Sequence, residues 1–121
     1  MTLKEQLTLA VTTLDKKIAA DINVLKIEEL STLSEYFIIC TGTSNTHVKT
    51  LSEAVEDAFT KNGIEPHHIE GHGGMWVLLD YGSFVIHIFT DEGRRFYQLD
   101  KVWADAVHIP TEDLIINQEM K

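Results

Sequence analysis

One cysteine, Cys40, stands in 121 residues, so the chain has neither a disulfide framework nor a Cys-x-x-Cys metal site. A reducing compartment suits it. Basic residues are scarce: ten Lys and Arg face 19 Asp and Glu, a formal net charge of −9. A surface that grips phosphates without regard to base sequence needs the opposite excess, so direct nucleic-acid recognition is not expected. An acidic chain suits a basic partner, because opposite fields speed encounter, and it equally serves plain solubility. No apolar run approaches the roughly 20 residues that cross a bilayer. The opening Met-Thr-Leu-Lys-Glu-Gln lacks a charged-then-apolar signal pattern. Those two absences point to a soluble, cytoplasmic chain with no membrane partner.

Nucleotide motifs are missing as well. Neither Gly-x-x-x-x-Gly-Lys-Ser/Thr nor Gly-x-Gly-x-x-Gly occurs, and no His-Glu-x-x-His does. The chain has no internal repeat and no low-complexity segment. What is present is an ordinary globular composition, 44% hydrophobic and 24% charged, in a length that suits one domain.

The most informative stretch runs from residue 70 to residue 90. Two apolar runs, Met75 to Leu79 and Phe84 to Phe89, flank Asp80-Tyr81-Gly82-Ser83. Their Val, Ile, Phe and Trp fit a pleated sheet. Gly82 can take positive φ and Asp80 can bond the turn backbone, so a β-hairpin with a loop of two to four residues is expected. Alternation then puts Trp76, Leu78 and Asp80 on one face, and Val77 and Leu79 on the other. Both faces are apolar. One should meet the core, and the second needs a helix or a partner.

Upstream, Leu3, Leu7, Ala10, Val11, Leu14 and Ile18 recur at helical spacing, and Thr2-Leu-Lys-Glu5 is a capping box. Asp21 to Ile27 reads as a non-central strand. Residues 28 to 34 read as a linker with room for one helical turn. Tyr36 to Thr41 is continuously apolar and reads as a central strand covered on both faces. A second helix follows, N-capped by Ser44 or Asn45, with Val48, Leu51, Val55, Ala58 and Phe59 inward and Gly63 as its stop. Residues after Pro66 form a weaker strand up to Glu70. After residues 90 to 93, one short amphipathic helix should carry Phe96, Leu99 and Trp103 on a single face. The organisation is a domain over residues 1–106 and a tail over 107–121, where Thr111-Glu-Asp caps one more turn beside the patch Leu114-Ile-Ile116. The fold class is α/β (α+β): a mixed sheet of about five strands with helices packed on it.

Candidate chemistry is thin. The Gly42-Thr-Ser44 junction between strand and helix could bind an anion, but an N-cap at a tight turn accounts for it. A minimal nucleotidyltransferase or phosphohydrolase would draw on Ser44, Asp80 and His87. Paired carboxylates that clamp two metal ions are missing, since Asp80 stands alone. His67, His68, His72 and His87 lack the company of a zinc site, so no metal or other cofactor is expected. Cys40, inside an apolar strand, reads as inert core. Trp76 and Tyr81 beside Asp80 read either as sheet packing or as the aromatic anchors and charge of a protein–protein hot spot.

Several ordered stretches together resemble one family. Tyr36-Phe-Ile-Ile-Cys-Thr-Gly-Thr-Ser-Asn45, Val48-Lys49, Glu70-Gly71, Trp76-Val-Leu-Leu-Asp-Tyr-Gly82, Val85-Ile-His-Ile-Phe89, Arg95-Phe-Tyr97, Leu99 and Trp103 look like the Iojap family, the ribosomal silencing factors of bacteria and organelles. The resemblance spans roughly residues 5 to 105. It implies a nucleotidyltransferase-like fold without catalytic carboxylates and a non-enzymatic role. It implies binding to the large ribosomal subunit through that subunit's protein fourteen, a block on subunit joining, and a homodimer in some members. Carried over, the contact surface is Trp76, Leu78, Asp80, Tyr81, His87, Phe89 and Arg95.

Overall fold

The computed structural model describes residues 1–28, 30, 34–71 and 74–114. Most of the 28–34 linker, His72 and Gly73 ahead of the hairpin, and Ile115-Ile116 of the tail patch lie outside the described residues.

Helix α1 (Leu3–Lys16) starts where the capping box predicts. Thr2 Oγ1 accepts from the Glu5 amide at 3.1 Å, and the Thr2 amide donates to Glu5 Oε1 at 2.8 Å. Its stripe of Leu7, Ala10, Val11 and Leu14 is buried. Ile18 departs from the expectation. The helix ends before it, and Ile18 takes φ 67° with 78% of its surface exposed. The Ile18 amide bonds the Asp15 carbonyl and the Ala19 amide bonds the Leu14 carbonyl. That is a left-handed helix terminus, in a position that glycine normally fills.

Strand β1 (Ala20–Lys26) follows, then β2 (Tyr36–Gly42), α2 (Asn45–Thr60), β3 (His68–Glu70), β4 (Trp76–Asp80) and β5 (Phe84–Thr90). Ser44 caps α2 by accepting from the His47 amide. Gly63, at φ 76°, follows the helix end. The single helix expected after β5 is two: α3 (Asp91–Tyr97), capped by Thr90, and α4 (Leu99–Val102). Gln98, at φ 51°, breaks them apart. The break turns Phe96 out to 72% exposure, while Leu99 and Trp103 stay on the protein.

The chain then returns as β6 (Val107–Ile109), an antiparallel partner of β1 that the sequence pattern did not show. Residues 111–114 are helical, and Leu114 is buried in the main core. The sheet thus has six strands in the order β3-β4-β5-β2-β1-β6. Only β2 and β5 run parallel, which makes it a mixed sheet. The central β2 is covered on both sides, as its continuous apolar run requires.

Helices α1 and α2 bury one face of the sheet, a layer that includes Ile38, Cys40, Val77, Leu79, Ile86, Ile88 and Phe59. On the opposite face a smaller cluster gathers Leu25, Ile27, Phe37, Ile39, Val85 and Phe89 under Leu99, Trp103 and Ala106. That second face carries the candidate site.

Candidate functional site

The hairpin turns as its residues dictate. The Gly82 amide donates to Asp80 Oδ1 at 2.8 Å, and Gly82 sits at φ 87°. A Cβ there would lie 2.8 Å from the exposed His67 ring, which can swing aside, so it is the positive φ that calls for glycine. Across the hairpin Trp76 faces Phe89, Leu78 faces His87 and Asp80 faces Val85. Period-two alternation therefore collects Trp76, Leu78, His87 and Phe89 on the second face.

Trp76 is the centre of this group. Its indole stacks on Phe89 at 5.0 Å and 28° between planes, and Tyr97 of α3 lies 4.7 Å away. Its Nε1–H donates to His87 Nδ1 at 3.1 Å. Trp76 and Leu78 remain partly exposed, whereas His87 (3% exposed) and Phe89 (0%) lie beneath them. Phe37 meets the His87 ring edge-on at 4.5 Å. Burial pulls the His87 pKa down from 6.5 to about 4, against a weaker opposing pull from Asp80, so the ring is neutral at pH 7.

Asp80 sits half-buried at the rim, one oxygen spent on the turn. On the neighbouring β3, Glu70 and His68 pair at 2.8 Å in register with Leu78 and Asp80. Arg95 is far out on α3, paired with Asp91 at 3.2 Å and largely exposed.

Tyr81 does not join this group. It follows Asp80 in the alternation and falls on the helix-covered face, where it stacks with Phe84 at 5.3 Å and packs on Phe59 at 4.6 Å. It is 7% exposed, its hydroxyl has no hydrogen-bond partner among the described residues, and burial pushes its pKa well above the usual value. The signal was in the sequence: residues 77, 79 and 81 share one parity.

Arg94, beside the expected Arg95, is the arginine with a structural task. Its Nε and Nη2 donate to both carboxylate oxygens of Asp100 at 3.0 and 2.9 Å. Its Nη1 donates to Thr41 Oγ1 and to the Asp21 carbonyl. Asp21 lies where the β1–β2 register shifts, and φ 48° there turns this carbonyl toward the guanidinium. Asn23 completes the set through Nδ2 to Asp100 Oδ1 at 2.9 Å. These bonds hold Asp100 below its usual pKa against the opposite effect of burial, and they clamp α3 and α4 onto β1 and β2. Gly93 allows the close fit, since a Cβ there would come within 2.5 Å of the Met75 carbonyl oxygen. An open depression above the clamp is lined by Arg94, Arg95, Gln98, Asp100 and Lys101.

Of the three residues a minimal nucleotidyltransferase would draw on, Asp80 and His87 lie on one face, but Ser44 lies away from Asp80. Gly42, two residues before Ser44, pairs with Thr90, while Asp80 pairs with Val85. Five residues of strand, about 17 Å, separate those ends. At the β2–α2 junction the Thr43 amide donates to His47 Nδ1 at 2.8 Å and the His47 amide to Ser44 Oγ, so two amides of this junction are already held by side chains of the protein. Burial pushes Cys40 up to about 12, which leaves a neutral thiol. No three metal-ligating side chains come together among the described residues. No described helix is long and apolar enough to cross a membrane.

Comparison with known proteins gives one consistent picture. The sequence profile of the family described as ribosomal silencing factor during starvation matches residues 1–121. The protein named ribosomal silencing factor RsfS from Bacillus subtilis is 37% identical over 115 residues, 94% of this chain and 95% of that one. The chloroplastic protein Iojap of Zea mays is 33% identical over 91 residues, 75% of this chain and 40% of that longer protein. A crystal structure of a Chromobacterium violaceum protein superposes with a TM-score of 0.82 at 32% identity, covering 86% of this chain and 88% of that one.

Proposed function

The chain belongs to the ribosomal silencing factor family, and from that premise we propose that it docks on the large ribosomal subunit, through that subunit's protein fourteen, and blocks subunit joining by its bulk. The observation that carries the reading is the half-covered face. Trp76 and Leu78 stand partly exposed over a buried aromatic bed, at the margin of the roof made by α3 and α4. An aromatic anchor on a rigid bed, ringed by Asp80 and Glu70, suits a basic protein surface. The net charge of −9 favours the same partner.

The mechanism is steric. The docked domain fills space that the small subunit needs, and no bond is made or broken. Phe89 supports the anchor from below and Arg95 lies at the outer edge. A second copy of the chain is the competing occupant of the same face, and a homodimer that survives Trp76→Ala would remove that version. The test is co-sedimentation of the protein with purified large subunits, followed by a subunit-joining assay. Stoichiometric binding and fewer joined ribosomes are the expected results. Joining that proceeds unchanged with the factor bound would overturn the steric mechanism.

A further inference from the structure

His87 is costly where it stands. Its Nδ1 takes the Trp76 indole N–H, so the neutral ring carries its proton on Nε2, and that N–H is buried with no partner among the described residues. An unpaired buried donor destabilises a fold, whereas leucine or phenylalanine at the same point would fill the layer without one. The neighbours Phe37, Phe89 and Leu78 offer nothing polar. What histidine supplies and an apolar residue cannot is the acceptor for the indole. Trp76 is stacked on Phe89 and flanked by Tyr97, contacts that restrain a flat ring but do not choose which edge faces out. The hydrogen bond chooses it.

We propose that His87 is a positioning residue for the docking face: by accepting the Trp76 Nε1–H it fixes the indole in one orientation before the partner arrives, and it does not itself touch the partner. This rests on the docking reading above. An anchor already held in its bound orientation loses less freedom on binding. His87 thereby leaves the contact set and acts from beneath it.

The experiment compares His87→Leu, which removes the acceptor, with His87→Asn, whose Oδ1 stands near the position of Nδ1. Two quantities are measured: affinity for purified large subunits, and hydrogen exchange of the Trp76 indole N–H by NMR, with Trp103→Phe assigning the signal. His87→Leu should speed indole exchange and weaken binding about three- to tenfold. His87→Asn should restore both, and His87→Leu should add nothing in a Trp76→Phe background, where no indole N–H remains. Should His87→Leu not fold, His87→Phe enters the same cycle. Slow exchange with weak binding in His87→Asn would overturn the proposal, because it would mean that Nε2–H meets the partner directly. Unchanged indole exchange in His87→Leu would overturn it too. If the wild type fails to bind large subunits, the docking reading falls, and the exchange comparison still decides whether His87 holds the indole.

Discussion

The two faces of the sheet are built from the same strands and finished differently. On one, α1 and α2 cover a continuous aliphatic layer in which even Tyr81 is submerged. On the other, two short helices cover β1, β2 and part of β5, and the roof stops at Trp76 and Leu78. The first face is closed mainly by hydrophobic area, with one His47–Lys17 hydrogen bond between its two helices. The second needs a charged clamp, Arg94 to Asp100, Asn23, Thr41 and Asp21, because helices of seven and four residues bury too little to hold themselves down. The first face thus carries most of the buried core, and the second leaves an aromatic margin uncovered.

Breaking the closed face should have the largest effect. Phe59→Ala removes a fully buried ring that touches Tyr81 and Phe84, at about 3–5 kcal/mol in urea denaturation. Breaking the clamp comes next. Arg94→Ala strands the half-buried Asp100 carboxylate and should cost about 3 kcal/mol. It should also expose Trp103, which now packs on Phe37, so that quencher access to Trp103 rises.

Acid should reach the second face in two stages. His87 is held neutral in the folded protein, with its pKa lowered from 6.5 to about 4. Stability is therefore full above pH 6.5 and falls as pH drops toward 4, while the unfolded chain takes up a proton that the native state refuses, by about 2–3 kcal/mol. Asp100, whose pKa is also lowered, contributes stability that is present above its usual 3.8 and is lost below it. Denaturation curves carried from pH 7 to below pH 3 should lose the first stage in His87→Leu and keep the second. The smallest effect is a gain. Ile18→Gly relieves a left-handed β-branched residue and should stabilise by about 1 kcal/mol, read as a rise in Tm.

How much of this was legible depends on the range of the interaction. The capping box at Thr2 and Glu5, the Ser44 cap and the Asp80–Gly82 turn are local, and the sequence shows them. The faces of Trp76 and Leu78 follow from alternation, and the same rule gives Tyr81, which both the hot-spot reading and the family resemblance had placed with the contact residues. The rest is set by distant partners or by backbone breaks. Strand β6 is three residues long, too short for a period, and its register comes from β1 some eighty residues earlier. Arg94 and Asp100 are six apart, a spacing with no meaning on one helix, and only the left-handed Gln98 brings them face to face. The same break sends Phe96 outward although its spacing to Leu99 and Trp103 reads as one helical stripe.

The most direct test sets one aromatic from each face side by side: co-sedimentation of Trp76→Ala and Tyr81→Phe with purified large subunits. Tyr81→Phe removes only a buried hydroxyl that has no partner among the described residues, and should bind like wild type. Trp76→Ala should lose about 2–4 kcal/mol of binding while remaining folded. Wild-type binding by Trp76→Ala, or lost binding by a folded Tyr81→Phe, would contradict the assignment of the open face as the docking surface.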